Sequence, residues 1–482
     1  MSTDSKRNIR TKKKLKGGCD MWDNLFLILE RITEPFSIKQ KNGFLTLLFL
    51  IISLIWIFNP TLDLRFAGVI ILFLMGFIIF GCVDVTNKRE MHYDKVVTVL
   101  ILIIGLCYLV SSIVFNEFSR LILAIFWLIE LPIISLVVNK YNANKRLLSC
   151  LARGGIIAFI ILFFLSAFFA PLNDLQYASI MLNPNGFGVF CTATLIFVIF
   201  IINERIVNKK IRSVLPLYVL LGIVLSMIVF CQSRTTYLCT IFIVAIWAVY
   251  LLNCAIKNKI FVAMTMKIVI MIIMVVIMFP VTSYSVVFIH NHFTRFESDL
   301  IGYNYEYYEG YYVKSKVDKN DNYSQVIKRC ISGSGKRIGK GIKTNEDLSS
   351  GRVYIWKSAI KYLNYRGHSA DSRFYVNFGY RLPKNTGETH NIFLQVGYYE
   401  GIITMIFFMV FAVAVTYKTF WYLLFSKKNY VDGNYTFAVF IILCAFGIAT
   451  MLSGSYYPNN DNLTFIFWLT VPLFELHKRE TY

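Results

Sequence analysis

Charge is scarce in this chain, and negative charge scarcest of all. Only 16% of the 482 residues are charged, and 28 acidic residues stand against 49 basic ones. Soluble domains carry roughly a quarter charged residues. With 56% hydrophobic residues and a mean hydropathy of +0.58, a soluble globular protein is excluded and an integral membrane protein is indicated. Patterned cysteine is also lacking. The ten cysteines are scattered, nearly all in or beside apolar runs (Cys82, Cys107, Cys191, Cys231, Cys239, Cys444), and only Cys330 lies in the large polar segment. That excludes a disulfide framework and any CxxC metal site. No internal repeat is present, and the expected outer loops contain no Asp-x-Asp or histidine-rich cluster. The first apolar run begins near Phe44, behind a basic tail with Lys12, Lys13, Lys14 and Lys16, so no removable signal peptide is expected. The formal charge of +21 is split among many short loops instead of gathered on one face, so no nucleic acid partner is expected.

What the chain has is apolar length. Runs able to cross about 30 Å of hydrocarbon are Phe44 to Phe58, Phe66 to Val83, Val96 to Phe115, Leu121 to Val138, Gly154 to Ala170 and Phe187 to Ile202. They continue with Val214 to Cys231, Tyr237 to Leu252, Ile268 to Ile289, Ile392 to Tyr417, Tyr435 to Met451 and Leu463 to Leu476. The fold class expected is an all-α polytopic membrane protein of about twelve transmembrane helices with one large, partly helical extracytoplasmic loop. Its divisions are a basic cytoplasmic tail with an interfacial helix (1–43), nine helices (44–290), the loop (291–390), and three helices with a short tail (391–482). Of the 49 lysines and arginines, 29 fall in segments expected inside, three (Arg65, Arg120, Arg234) in short outer loops, and 17 in the long segment. Cytoplasmic loops retain positive charge, so both termini are expected in the cytoplasm and the long segment outside.

Particular residues stand out from this background. Trp22, Leu25, Phe26, Leu29 and Ile32 recur at helical spacing, as in a helix on the lipid surface. Glu130, two residues before Pro132, is the one carboxylate deep in a span; it is either functional or bonded to a hydroxyl. The tyrosine-rich run from Tyr303 to Tyr312 suits a membrane interface better than sugar stacking. The stretch Gly333 to Gly341 lacks the ending of a phosphate loop and reads as a flexible basic loop. Asn183-Pro184-Asn185-Gly186 is turn chemistry ahead of a helix. Arg234 lies where two helix ends meet the outer interface, able to snorkel to lipid phosphate or to present its fork to a substrate phosphate. After a cap at Ser350, the stripe Val353, Trp356, Ile360, Leu363 predicts a helix on the membrane or the bundle. Arg352 falls in its first turn, where the helix dipole disfavours a cation, so another partner is expected. His390 places an imidazole at the mouth of the apolar run that starts at Ile392.

Asn-Pro-Asn-Gly-Phe (183–187), Ser-Arg-Thr (233–235), Ser-Gly-Arg-Val-Tyr-Ile-Trp (350–356) and His-Asn-Ile-Phe-Leu (390–394), with Glu400-Gly401 downstream, are together similar to the bacterial O-antigen ligases and the related O-antigen and capsular polysaccharide polymerases. The resemblance covers roughly Asn183 to Gly401. It implies a membrane glycosyltransferase of the bacterial cytoplasmic membrane, with its active site outside. The implied donor is an undecaprenyl-diphosphate-linked oligosaccharide, used without cofactor or metal. Arg234 and Arg352 match the residues thought to hold the diphosphate, and His390 the histidine assigned to acceptor activation. Asn183, Asn185, Asn391 and Glu400 are the implied substrate-binding residues. Membrane lipid, a flippase and chain-length regulator proteins are the further partners implied. The expected reaction is polymerisation of lipid-linked repeat units, with inversion at the anomeric carbon. The alternatives are a ligase passing the glycan to another acceptor and, from another class, a lipid-oligosaccharide flippase or secondary transporter.

Overall fold

Backbone amides find no water in hydrocarbon, so long apolar runs satisfy themselves as helices. The computed structural model describes residues 21–62, 66–89, 94–170, 177–181, 183–206, 211–257, 259–293, 328, 351–378, 383–425, 430–453, 457 and 459–471. The Lys12 to Lys16 tail, the 303–312 and 333–341 stretches, Cys330 and the cap at Ser350 lie outside the described residues. The chain runs through α1 (Met21–Thr33), α2 (Ile38–Leu62), α3 (Ala67–Gly76), α4 (Ile78–Cys82), α5 (Lys95–Phe115), α6 (Phe118–Ile125), α7 (Leu131–Lys140) and α8 (Asn144–Phe169). Then follow α9 (Pro184–Ile206), α10 (Leu215–Cys231), α11 (Arg234–Lys257) and α12 (Phe261–Phe293). The 291–390 stretch supplies α13 (Arg352–Lys361) and the antiparallel pair β1 (Phe374–Val376) and β2 (Lys384–Thr386), in which Tyr375 opposes Asn385. The last elements are α14 (Ile392–Glu400), α15 (Ile402–Phe425), α16 (Tyr430–Ser453) and α17 (Asn462–Thr470).

Among the described residues nine helices are long and apolar enough to cross a membrane, and Ala67–Cys82 and Leu215–Cys231 are shorter apolar helices. The chain is an integral membrane protein of all-α architecture, but the expected twelve single spans change in places. The run 66–83 is interrupted at Phe77. The run 392–417 is two helices, the short α14 and the membrane-length α15, parted at Gly401 with φ +90°. The final run is described only to residue 471.

The break at Gly401 has a steric cause. A Cβ on Gly401 would run into the Tyr365 carbonyl oxygen, and one on Gly367 (φ +79°) into that of Tyr399. The two backbones interlock through His368 N–H to Tyr399 O (3.2 Å) and Ile402 N–H to Asn364 O (3.0 Å). The loop after α13 is thereby fastened to the α14–α15 joint.

A helix apolar on every side must be covered on every side. α9 meets that condition: it is buried continuously from Phe187 to Asn203 and is packed by α8, α10, α11, α16 and α17. α12 instead turns much of its surface outward, with Val262 and Val276 well exposed, as lipid contact requires. The stripe on α1 proves to be a docking face, since Phe26 and Leu29 are buried against the bundle and Phe26 meets the Tyr141 ring, while Ile32 stays exposed. At Glu130 the helix widens into a π-turn, Phe126–Glu130, just before Pro132, which has no N–H to donate. Glu130 Oε1 is buried there without the expected hydroxyl partner among the described residues.

A second, small core is formed by Ile355, Ala359, Phe374, Val376 and Phe378 of the 291–390 stretch together with Tyr398 of α14. The N-cap of α13 is Gly351 (φ +81°), and the helix buries Ile355 and Ala359, while Val353 and Ile360 of the apolar stripe are exposed. The helix packs on β1 and α14, so those neighbours choose its inner face.

Candidate active site

Two of the singled-out strings meet through one hydrogen bond. Asn183 Oδ1 accepts from the N–H groups of Asn185 (2.9 Å) and Gly186 (3.3 Å), capping α9, whose first residue is Pro184. Asn185 Oδ1 in turn accepts from Ser233 Oγ at 2.9 Å. Ser233 is buried between Gln232, in the left-handed conformation that ends α10 (φ +49°), and Arg234, the first residue of α11. Its carbonyl takes the opening α11 bond from Tyr237 N–H (3.0 Å). Asn183 is thus a cap, and Asn185 holds the residue next to Arg234.

Arg352 opens α13 as Arg234 opens α11, and each is half-buried. Burial pushes the Arg352 guanidinium below its usual range, and the charge of Arg234 pushes it the same way. The two side chains therefore share one electrostatic neighbourhood. A cation at a helix N-terminus already opposes the dipole. Two of them at two N-termini, in each other's field, gather positive charge and the N–H donors of the helix ends in one region.

The imidazole stands on a wound turn. His390 has φ +52°, a conformation that costs a non-glycine residue of order 1 kcal/mol. Neighbours fix it: Thr389 N–H and Oγ1 both donate to Gln395 Oε1 (2.8 and 2.9 Å), and Asn391 Oδ1 caps α14 by accepting from Phe393 and Leu394 N–H. Its ring Nε2 lies 3.8 Å from Glu388 Oε2, and about a third of the side chain is open. α13 packs against α14, which brings the helix begun by Arg352 alongside the helix preceded by His390.

Just past this turn an apolar groove of about 420 Å³ opens, lined by Phe242, Ile392, Phe393, Phe408, Leu443 and Met451 among others. Asn391 Nδ2 approaches the Met451 sulfur at 3.7 Å, so the polar turn caps the groove directly.

Glu400 belongs elsewhere. It ends α14, about 13 Å of helix from Asn391 at 1.5 Å per residue. Its Oε1 lies 3.7 Å from Arg120 Nε, which also meets Glu117 Oε2 at 2.7 Å. The other Arg120 nitrogens bond Ser111 Oγ and the His368 carbonyl. Burial pushes the Glu400 carboxyl up to about 7, against the pull of Arg120. Sequence reading counted Arg120 only as an outer-loop charge. The available signal was the Glu117–Arg120 spacing of three at the head of a span.

A polytopic membrane protein with paired arginines at helix N-termini and an imidazole turn over an apolar groove is suited to an amphiphile with an anionic head. In comparison with known families, residues 217–409 match the O-antigen ligase family model. Arg234, Arg352, His390, Asn391 and Glu400 fall inside the match, while Asn183 and Asn185 precede it. No curated protein and no solved structure matches the chain.

Proposed function

We propose that the protein transfers a glycan from a polyprenyl diphosphate to a sugar hydroxyl on the outer face of the bacterial cytoplasmic membrane, joining lipid-linked repeat units into a surface polysaccharide. The observation that carries this reading is the shared field of Arg234 and Arg352 at two helix N-termini. The apolar groove beneath the His390 turn supports it, since a polyprenyl chain needs such a path beside its charged head.

In this mechanism the acceptor hydroxyl attacks the anomeric carbon from the face opposite the diphosphate, which inverts that centre. An oxygen–carbon bond forms, the bond from the anomeric carbon to the diphosphate oxygen breaks, and the hydroxyl proton passes to neutral His390. Arg234 and Arg352 hold the charge that grows on the departing polyprenyl diphosphate. Their fixed charge serves where a divalent ion otherwise would.

The test is transfer by purified protein in nanodiscs supplied with lipid-linked repeat. Arg234→Ala, Arg352→Ala and His390→Ala are each expected to lose about a hundredfold or more in turnover. Full activity in the arginine and histidine variants would overturn the assignment. The family description favours a second reading, a ligase passing a finished glycan to another acceptor. A deletion strain separates the two: loss of a ligase leaves long lipid-linked chains, and loss of a polymerase leaves single units.

A further inference from the structure

α14 divides two cavities. Its first turn borders the apolar groove, and its other face, with Gln395, Tyr399 and Glu400, borders a pocket of about 340 Å³ with a mixed polar and apolar lining. Glu117, Ser119 and Arg120 come from the start of α6, Gly68 and Leu72 from α3, and Tyr457, Asn459 and Asn460 from the loop before α17. That volume is within the usual range of small-ligand pockets, about 300–1,000 Å³.

Charge excludes most occupants. Arg120 is spent: Nε faces Glu117 and Glu400, and its terminal nitrogens hold Ser111 and the His368 carbonyl. A phosphate would find two carboxyl groups and no uncommitted guanidinium edge. A metal ion would find those carboxyl groups already joined by an arginine. What remains is neutral hydrogen-bonding capacity. Glu400 is 95% buried or more, yet its Oε2 has no hydrogen-bond partner among the described residues. Asn459 Oδ1 is buried in the same state, while the Asn459 backbone is pinned by Trp56 Nε1 donating to its carbonyl (2.9 Å). Gly68 leaves the space that the Asn459 amide occupies, since a Cβ there would collide with it. Ser119 and Asn460 are exposed at the margin, and the Leu72, Ile122 and Leu123 side chains give an apolar wall. Unsatisfied buried polar atoms are costly, and a polyhydroxylated ring supplies both the hydroxyls and the apolar face to meet them.

We propose that this pocket binds one sugar unit of the glycan, separately from the diphosphate site, with Glu400 and Asn459 as its buried hydrogen-bonding groups. Gln395 links the two sites. It borders the pocket while its amide oxygen holds Thr389, the residue before His390. A sugar seated there is therefore registered against the imidazole turn. The inference rests on the glycan-transfer reading, and the sugar can come from either of two sources, the donor lipid or the acceptor chain.

The experiment measures binding to the full protein in nanodiscs of three probes: undecaprenyl diphosphate, the same lipid carrying the host oligosaccharide, and that oligosaccharide released by mild acid. Asn459→Leu removes the buried amide, and Ser119→Trp, at an exposed position, obstructs the margin without a demand on the core. Either substitution is expected to weaken a sugar-bearing probe about tenfold, with undecaprenyl diphosphate unaffected. Loss confined to the lipid-linked probe assigns the pocket to the donor sugar, and loss confined to the free oligosaccharide assigns it to the acceptor. Unchanged binding of both sugar-bearing probes in both variants overturns the pocket assignment and leaves the diphosphate reading standing. Failure of the wild-type protein to bind any of the three probes refutes the transfer reading itself.

Discussion

Ser233 Oγ donates to Asn185 Oδ1 at 2.9 Å, tying the residue before Arg234 to the first turn of α9, the helix buried continuously from Phe187 to Asn203. Arg234 therefore starts from an anchored backbone rather than from a free loop. Removing either partner should cost about tenfold in turnover by loosening Arg234, with folded yield preserved. Because the two groups act as one unit, the Asn185→Ala, Ser233→Ala double variant should be no slower than the worse single variant. Additive losses in that cycle would mean that the bond does not position the arginine.

Arg352→Lys tests the like-charge neighbourhood. A lysine at that half-buried helix end, facing Arg234, loses its proton far more readily than an arginine does. Transfer by the variant should fall as pH rises from 7 to 9, over a range in which wild-type activity shows no such loss. Parallel pH profiles for the two proteins would place Arg352 away from the charge that matters.

Gly401→Ala and Gly367→Ala should each destabilise the joint between α14 and α15. Both positions combine positive φ with a carbonyl in the path of any Cβ, so a loss of roughly 2 kcal/mol or more is expected. The thermal midpoint in detergent reads this directly. A midpoint equal to wild type for both variants would show that the interlocked loop contributes nothing to stability.

Glu400 gives a pH signature. Its carboxyl titrates at about 7 in the folded protein, above the usual carboxylate value near 4.5, because burial favours the neutral form. The folded state then binds the proton more tightly than the unfolded state. The resulting stabilisation is complete below about pH 4.5 and is lost as pH rises through 7. Glu400→Gln, which has no proton to lose, should flatten this part of the stability profile between pH 5 and 8. An unchanged slope would assign the pH dependence to other groups.

Much of the architecture was legible because it is local. Apolar length gives helices wherever the chain meets lipid, whereas the Arg352 conflict with its helix dipole is deepened by the like charge of Arg234. The string at Asn183 was readable as a turn ahead of a helix, though not that Asn183 itself is the cap. What stayed hidden depends on distant contacts. Hydropathy runs on across Gly401, and only the carbonyl of Tyr365 shows why no side chain fits at that break. The inner face of α13 is set by β1 and α14 rather than by its own stripe. Arg120 reads as a lone loop charge until Glu400, His368 and Ser111 are folded around it.

The central claim is that Arg234 and Arg352 form one diphosphate site. Its most direct test is the affinity of purified protein in nanodiscs for undecaprenyl diphosphate, compared among wild type, the Arg234→Ala, Arg352→Ala double variant, and His390→Ala. The account predicts loss of measurable binding in the double variant and near wild-type affinity in His390→Ala, because the imidazole acts on the acceptor. Wild-type affinity in the double variant would contradict it.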